Sequence, residues 1–167
     1  MSSHARSIKH ASFVIERVFS YDVSLLFRAW TDTGVKARWF NGPADKWTEV
    51  TREMDVRAGG RERCIGKFAD GSESRFEAQY FDVVPDRRLV YTYDMYFQGR
   101  KISVSLASIE FLAQGREGNG TKLVVTEQHA FLDGYEDSGN RERGTQGLLE
   151  NLGIALAGGD TRLPRAG

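Results

Sequence analysis

Residues 88–131 read RLVYTYDMYFQGRKISVSLASIEFLAQGREGNGTKLVVTEQHAF. Apolar and polar side chains alternate through three segments of this stretch, residues 88–97, 102–112 and 121–131. A Gln-Gly pair and a glycine-rich segment separate the three, and both are typical of tight turns. Such alternation indicates antiparallel strands that each bury one face. The stretch therefore predicts three consecutive strands joined by two hairpins.

The same alternation recurs towards the N-terminus. It predicts four earlier strands, over residues 12–19, 47–56, 61–68 and 74–84. Between the first two of these, Asp22 can cap one short helix, and Thr31 or Asp32 can cap a second. The chain is therefore expected to contain seven strands, with a helix pair after the first.

Residues 140–157 predict one amphipathic helix after the last strand. Its apolar stripe repeats at spacings of three and four and comprises Thr145, Leu148, Leu149, Leu152, Ala155 and Leu156. A curved antiparallel sheet can bury its apolar face against such a helix, and a cavity is expected between them. We therefore predict a single α+β domain over residues 11–158, with a flexible leader at 1–10 and a flexible tail at 159–167.

The overall composition narrows the classes of function. The 167 residues suit one domain with a substantial core, and 23 basic residues balance 23 acidic ones. With this balance the protein has no net positive charge to attract nucleic acid or an anionic membrane, so neither partner is expected. A single cysteine, Cys64, excludes an internal disulfide, and no segment is apolar enough to span a bilayer. We therefore expect a cytoplasmic protein.

Short motifs recur in a fixed order along residues 12–157. They are ERVF at 16–19, FRAWTD at 27–32, ARWF at 37–40, DVRAGGR at 55–61, VVPDRRLVYT at 83–92 and GTKL at 120–123. Together they resemble the activator of heat-shock-protein-90 ATPase homologue family. The segment TEQHAFLDG at 126–134 resembles a bacterial stand-alone branch of that family. The order of strands and helices is similar to the helix-grip fold of the START-related, Bet v 1-like (SRPBCC) superfamily.

The resemblance implies a helix-grip fold, in which a seven-stranded curved sheet surrounds a long C-terminal helix. Relatives in the superfamily bind lipids, hormones or polyketides in the cavity, and some cyclise or hydrolyse them. We therefore expect this chain to bind a small, largely apolar molecule. Two alternatives remain open: a protein-interaction module acting on a chaperone, and a cyclase or hydrolase acting on a hydrophobic substrate.

The last predicted strand carries the two candidate catalytic residues. Its alternation places Glu127 and His129 on the inward face, together with Leu123, Val125 and Phe131. A buried carboxylate beside an imidazole could orient a ligand or relay a proton. A purely structural alternative has Glu127 paired with Arg63 or Arg75 across the sheet, and His129 at an exposed strand end.

Further candidates for ligand binding come from the other predicted elements. Trp39 and Phe40 are expected near the mouth of the cavity, because they follow the helix pair. Aromatic and flexible apolar side chains suit the wall of a binding cavity, although plain core packing would use the same residues. The remaining candidates are Phe76, Tyr80, Tyr91, Tyr93, Met95, Ile109, Phe111, Phe131, Leu148, Leu149 and Leu152.

Nothing in the sequence indicates a metal or a cofactor. His4, His10 and His129 are scattered, and no pair of residues has the spacing of a zinc site. The glycine-rich segments do not precede helices, so they do not resemble phosphate-binding loops. A homodimer is a reasonable expectation, because the edges of an open sheet need protection.

Overall fold

The computed structural model describes residues 6–135 and 139–162. Within them the elements, in chain order, are β1 (Ile8–Phe19), α1 (Val23–Thr31), α2 (Thr33–Ala37), β2 (Trp47–Met54), β3 (Arg61–Phe68), β4 (Glu73–Val84), β5 (Arg88–Phe97), β6 (Arg100–Gln114), β7 (Gly120–Leu132) and α3 (Asn140–Leu156). This order confirms the predicted strands and helices.

The strands form one antiparallel sheet in the order β1-β7-β6-β5-β4-β3-β2. From β2 to β7, neighbouring strands in the sheet are also consecutive along the chain. Strand β1 pairs instead with β7, so β1 and β2 form the two opposite edges of the sheet. The helices α1 and α2 therefore carry the chain from one edge of the sheet to the other. Asp22 caps α1 by accepting from Leu25 N at 3.0 Å, and Asp32 caps α2 by accepting from Val35 N at 3.0 Å.

The ends of the domain differ from the prediction. Strand β1 begins at Ile8 rather than at residue 12, because β7 runs on to Leu132 and supplies backbone partners there. Residues 8–10 therefore belong to the sheet and not to a flexible leader. At the other end, Thr161 N and Oγ1 both donate to the carbonyl oxygen of Arg38, at 2.9 and 2.8 Å. The first part of the predicted tail is thus bonded to the end of α2, and residues 1–5 and 163–167 lie outside the described residues.

The inward face of β6 explains where the core ends and a cavity begins. The side chains on this face are small at the start of the strand and large towards its end, and all are buried: Ser103, Ser105, Ala107, Ile109 and Phe111. At the large end, α1 fills the concave face, and Phe27 and Trp30 pack edge-on against Phe111 with ring centroids 5.4 and 6.5 Å away. At the small end the side chains of β6 are too short to fill the same space. The sheet is therefore packed solid at one end and hollow at the other.

No helix among the described residues is long and apolar enough to cross a membrane.

Candidate ligand cavity

A cavity of about 1060 Å³ lies between the concave face of the sheet and the N-terminal half of α3. Its walls are mainly apolar and rich in aromatic rings. Several of the predicted binding residues line it: Trp39, Phe40, Phe76, Tyr91, Tyr93, Met95, Glu127, Phe131, Leu148 and Leu149. These side chains come from four elements and one loop, so the tertiary structure alone brings them together.

Other predicted binding residues are buried but do not line this cavity: Tyr80, Ile109, Phe111, His129 and Leu152. Ile109 and Phe111 lie at the end of the sheet that α1 fills. Leu152 lies on the C-terminal half of α3, beyond the hollow end. Tyr80 points its hydroxyl at Glu62, to which it donates at 2.5 Å. The cavity is thus smaller than the whole concave face.

The rim of the cavity lies further along the chain than predicted. Trp39 is fully buried, and its indole N–H donates to the carbonyl oxygen of Ala29 at 2.9 Å. It therefore forms part of the floor. Residues 43–45, Gly144 and Gly147 line the cavity and are exposed to solvent. The opening therefore lies between this loop and the flank of α3.

Trp47 forms a wall near this rim, and two glycines make room for it. A Cβ atom built on Gly66 would lie 1.9 Å from the indole ring, and one built on Gly42 would lie 2.5 Å from it. Any larger side chain at these positions would collide with the ring. The indole N–H donates to Ser74 Oγ at 3.1 Å, which fixes the plane of the ring. The sequence prediction did not include Trp47.

A group of four polar side chains, here named the polar cluster, lines the cavity: Tyr93, Glu127, Arg141 and Thr145. The Tyr93 hydroxyl donates to Glu127 Oε1, and Thr145 Oγ1 donates to Glu127 Oε2 at 3.3 Å. Arg141 donates to the Tyr93 hydroxyl oxygen at 3.1 Å. The carboxylate therefore accepts a hydrogen bond at each oxygen, as an ionised glutamate does.

Arg141 was missed by the sequence prediction, although helical spacing could have found it. Positions 141 and 145 lie one turn apart on the face of α3 that carries Leu148 and Leu149. A charged residue was not expected on an apolar stripe. Arg141 also donates to Ser103 Oγ at 2.9 Å, and its guanidinium lies 5.3 Å from the centroid of the Phe131 ring. These contacts attach the first turn of α3 to β5, β6 and β7.

Burial sets the proton affinities within the polar cluster. It raises the pKa of Glu127 above the ordinary value, and the hydrogen bond from Tyr93, the charge of Arg141 and the bond from Thr145 act against it. Burial and the neighbouring Glu127 carboxylate raise the pKa of Tyr93. The phenol therefore keeps its proton and remains the donor.

His129 lies behind the polar cluster, and the prediction of an exposed strand end for it is wrong. The side chain is 1% exposed, because β1 pairs along the whole of β7 and Phe13 covers the imidazole. Its Nδ1 lies 2.6 Å from Ser105 Oγ, and its Nε2 lies 3.8 Å from Glu127 Oε1. The ring of Phe131 stacks on the imidazole with the ring centroids 5.1 Å apart.

The predicted structural pairing of Glu127 with Arg63 or Arg75 is also wrong. Both arginines lie on the outward face of the sheet, where Arg75 stacks on Tyr96 at 4.2 Å and Arg63 lies 3.9 Å from Glu53. An inward carboxylate cannot reach an outward guanidinium, because successive side chains of a strand point to opposite faces.

A second buried group, unforeseen from the sequence, supports the cavity wall. Lys36 and Glu62 are buried, and Lys36 Nζ lies 2.9 and 2.7 Å from the two carboxylate oxygens. Burial lowers the pKa of Lys36, while the charge of Glu62 acts to raise it. The ammonium also lies 4.5 Å from the centroid of the Phe40 ring. The ion pair therefore joins α2 to β3 behind a ring that lines the cavity.

No three His, Cys, Asp or Glu side chains come together as a possible metal site in residues 6–135 and 139–162.

Comparison with known proteins places the chain in a family. The family model described as activator of Hsp90 ATPase homolog 1-like protein matches residues 20–157. No protein of curated function matches the chain. The solved structure of an uncharacterised protein from Rhizobium leguminosarum is 39% identical, with a TM-score of 0.85, and the match covers 91% of this chain and 97% of that one. A protein from Rhizobium loti is 36% identical, with a TM-score of 0.80 over 89% and 99% of the two chains.

More distant structures share the fold alone. CalU16 from Micromonospora echinospora is 20% identical, with a TM-score of 0.60 over 91% of this chain and 85% of that chain. The sheet curved around α3, with two short helices between β1 and β2, is the predicted helix-grip architecture. The chain therefore belongs to the activator of Hsp90 ATPase homolog 1-like family and has its Bet v 1-like, helix-grip fold.

Proposed function

We propose that the protein binds a small, largely apolar molecule in the cavity between the sheet and α3. The observation that carries this proposal is the cavity itself, about 1060 Å³ with aromatic walls and one compact polar cluster. Ligand sites in proteins typically measure about 300–1,000 Å³ and combine apolar walls with a few polar groups that orient the ligand. The size and the lining of this cavity agree with that description.

The cavity favours ligand binding over the alternative of a chaperone-binding module. That alternative would be supported by a filled interior with an exposed apolar patch on the outer face of the sheet or around Trp39 and Phe40. Instead, Trp39 is fully buried and Phe40 is half-buried, and both contribute to the wall of an open cavity. The outer face of the sheet does expose apolar side chains, among them Val14, Val104 and Leu106, but the interior of the protein holds a cavity and is not filled.

The geometry also gives less support to a catalytic pair formed by Glu127 and His129. Glu127 lines the cavity, whereas Phe13 and Phe131 enclose the imidazole of His129. A bound molecule could therefore reach the carboxylate but would meet Phe131 before the imidazole. Binding without chemistry is the function that the geometry supports best.

Two measurements test the proposal. Native mass spectrometry of protein purified from its own host should detect a co-purifying small molecule. Titration with the neutral fluorescent probe N-phenyl-1-naphthylamine should give a blue-shifted, saturable signal. The variant Gly147→Trp should lower the affinity for the probe by at least about tenfold. Position 147 faces open space at the rim, so a large ring there would obstruct the cavity.

Gln146→Trp is the matched control, because position 146 is exposed on the same helix but does not line the cavity. It should leave binding of the probe unchanged. Absence of both a co-purifying molecule and probe binding would contradict the proposal. So would equal weakening by the two variants, which would indicate a general effect on α3.

A further inference from the structure

The acceptor atoms of Glu127 are the starting point for a more specific inference about the ligand. The side chain lines the cavity, yet it is only 7% exposed. One hydrogen bond reaches each carboxylate oxygen, from Tyr93 and from Thr145. An ionised carboxylate offers about four lone-pair positions. Glu127 can therefore accept a further hydrogen bond from a molecule inside the cavity.

The charge of the polar cluster limits what that molecule can carry. One carboxylate, Glu127, and one guanidinium, Arg141, lie close enough for each to influence the other. An ammonium or a carboxylate on the ligand would add an uncompensated charge to a mainly apolar enclosure, which is costly. A ligand carboxylate would also face the carboxylate of Glu127. The cluster therefore favours a neutral group that carries a hydrogen-bond donor.

We propose that the ligand is a neutral hydroxyl compound, an alcohol or a phenol, whose O–H donates to Glu127 while its apolar body lies among the aromatic walls. This inference rests on the proposed function and adds the chemistry of the polar end. Tyr93 and Thr145 hold the carboxylate in place for this contact. An ether of the same shape has no donor, so it would bury the Glu127 lone pair without a partner.

Three probes with one ring system test the assignment: 2-naphthol, 2-methoxynaphthalene and 2-naphthoate. Isothermal titration calorimetry at about pH 8 measures each affinity, because a high pH favours the ionised form of Glu127. We expect 2-naphthol to bind at least about tenfold more tightly than either of the others. The reason is that only 2-naphthol can donate a hydrogen bond to the charged carboxylate of Glu127. Glu127→Gln should reduce this preference to about threefold or less, because the amide oxygen is a weaker acceptor.

Glu142→Gln provides the matched control. Glu142 is another glutamate, exposed in the first turn of α3, and it does not line the cavity, so its loss should leave the preference intact. Equal affinities for the three probes, or tightest binding of 2-naphthoate, would overturn the hydroxyl assignment while leaving the cavity as a binding site. If none of the three probes binds, the hydroxyl assignment fails, and the co-purification and N-phenyl-1-naphthylamine measurements decide whether the proposed function fails with it. If Glu127→Gln does not fold, the wild-type comparison decides the assignment by itself.

Discussion

The hydroxyl of Tyr93 on β5 donates a hydrogen bond to Glu127 on β7, although β6 lies between these strands. The two side chains can meet because β6 presents only Ser105 and Ala107 on its inward face at these rows of the sheet. A large residue at either position would fill the space that the pair spans. Small side chains on one strand thus permit both the polar cluster and the cavity beside it.

Tyr93→Phe should destabilise the protein and raise the pKa of Glu127 further. The substitution removes a donor from a buried carboxylate, and a loss of about 1–3 kcal/mol in the free energy of unfolding is expected. Urea unfolding measures the loss, and NMR titration of the Glu127 carboxyl carbon measures the pKa. Tyr96→Phe, on the outward face of β5, should stay within about 0.5 kcal/mol of the wild type. An unchanged Glu127 titration in Tyr93→Phe would contradict the hydrogen bond.

Glu127 should make stability depend on pH in a particular direction. Burial raises the pKa of the folded state above 4.5, so above pH 4.5 the folded protein holds a proton that the unfolded chain has released. The stabilising contribution of this group is therefore complete below pH 4.5 and is lost as the pH rises through the folded-state pKa. Relative to Glu127→Gln, the free energy of unfolding of the wild type should fall across that window. A difference that rises with pH would contradict the raised pKa.

Lys36→Met should be strongly destabilising because it leaves the Glu62 carboxylate buried without its cation. Removal of one partner of a buried ion pair typically costs about 3–5 kcal/mol. Chemical unfolding should therefore show a large shift in midpoint, and Lys36→Met combined with Glu62→Leu should recover part of it. Lys122→Met is the control, because its pair with Glu16 is partly exposed and should contribute less than about 1 kcal/mol. Similar losses in the two single variants would show that the burial of Lys36 has no special importance.

Glycine-to-alanine substitutions should have opposite effects at two positions. Gly66→Ala would place a methyl group against the ring of Trp47, and the displaced ring should lower stability by about 1–3 kcal/mol and change tryptophan fluorescence. Gly144→Ala meets open space within a helix, so it should raise stability by up to about 1 kcal/mol. Thermal unfolding of both variants checks the signs. A neutral Gly66→Ala would show that Trp47 does not occupy this position.

The approximate positions of the strands and of α3, though not all of their ends, could be predicted because each depends on a local repeat. Alternation placed Leu123, Val125 and Glu127 on the inward face of the last strand, and all three are buried. The start of β1 at Ile8 could not be predicted, because residues 8–10 are polar or exposed and join the sheet only through backbone bonds to β7. Backbone pairing leaves no pattern in the side chains.

The candidate site was predictable only in part. Tyr91, Tyr93 and Glu127 were named as candidate binding residues, but Arg141 and Lys36 were not, because long cationic side chains are usually exposed. Both are acceptable inside this protein since they meet specific partners, Ser103 and Tyr93 for one and Glu62 for the other. Those partners lie on distant segments of the chain. No local pattern indicates such a pairing.

Taken by itself, the amino-acid sequence determined the order of the elements, the inward face of the last strand and the covering stripe of α3, since these follow from periods of two and 3.6 residues. Only the tertiary structure decided which end of the sheet is filled and which is hollow. That outcome depends on α1 packing over Phe111 at one end, whereas at the other end the short side chain of Ser103 is reached by Arg141 of α3, beside the cavity. The volume between two elements depends on their distance and on both sets of side chains, so neither segment alone contains the cavity.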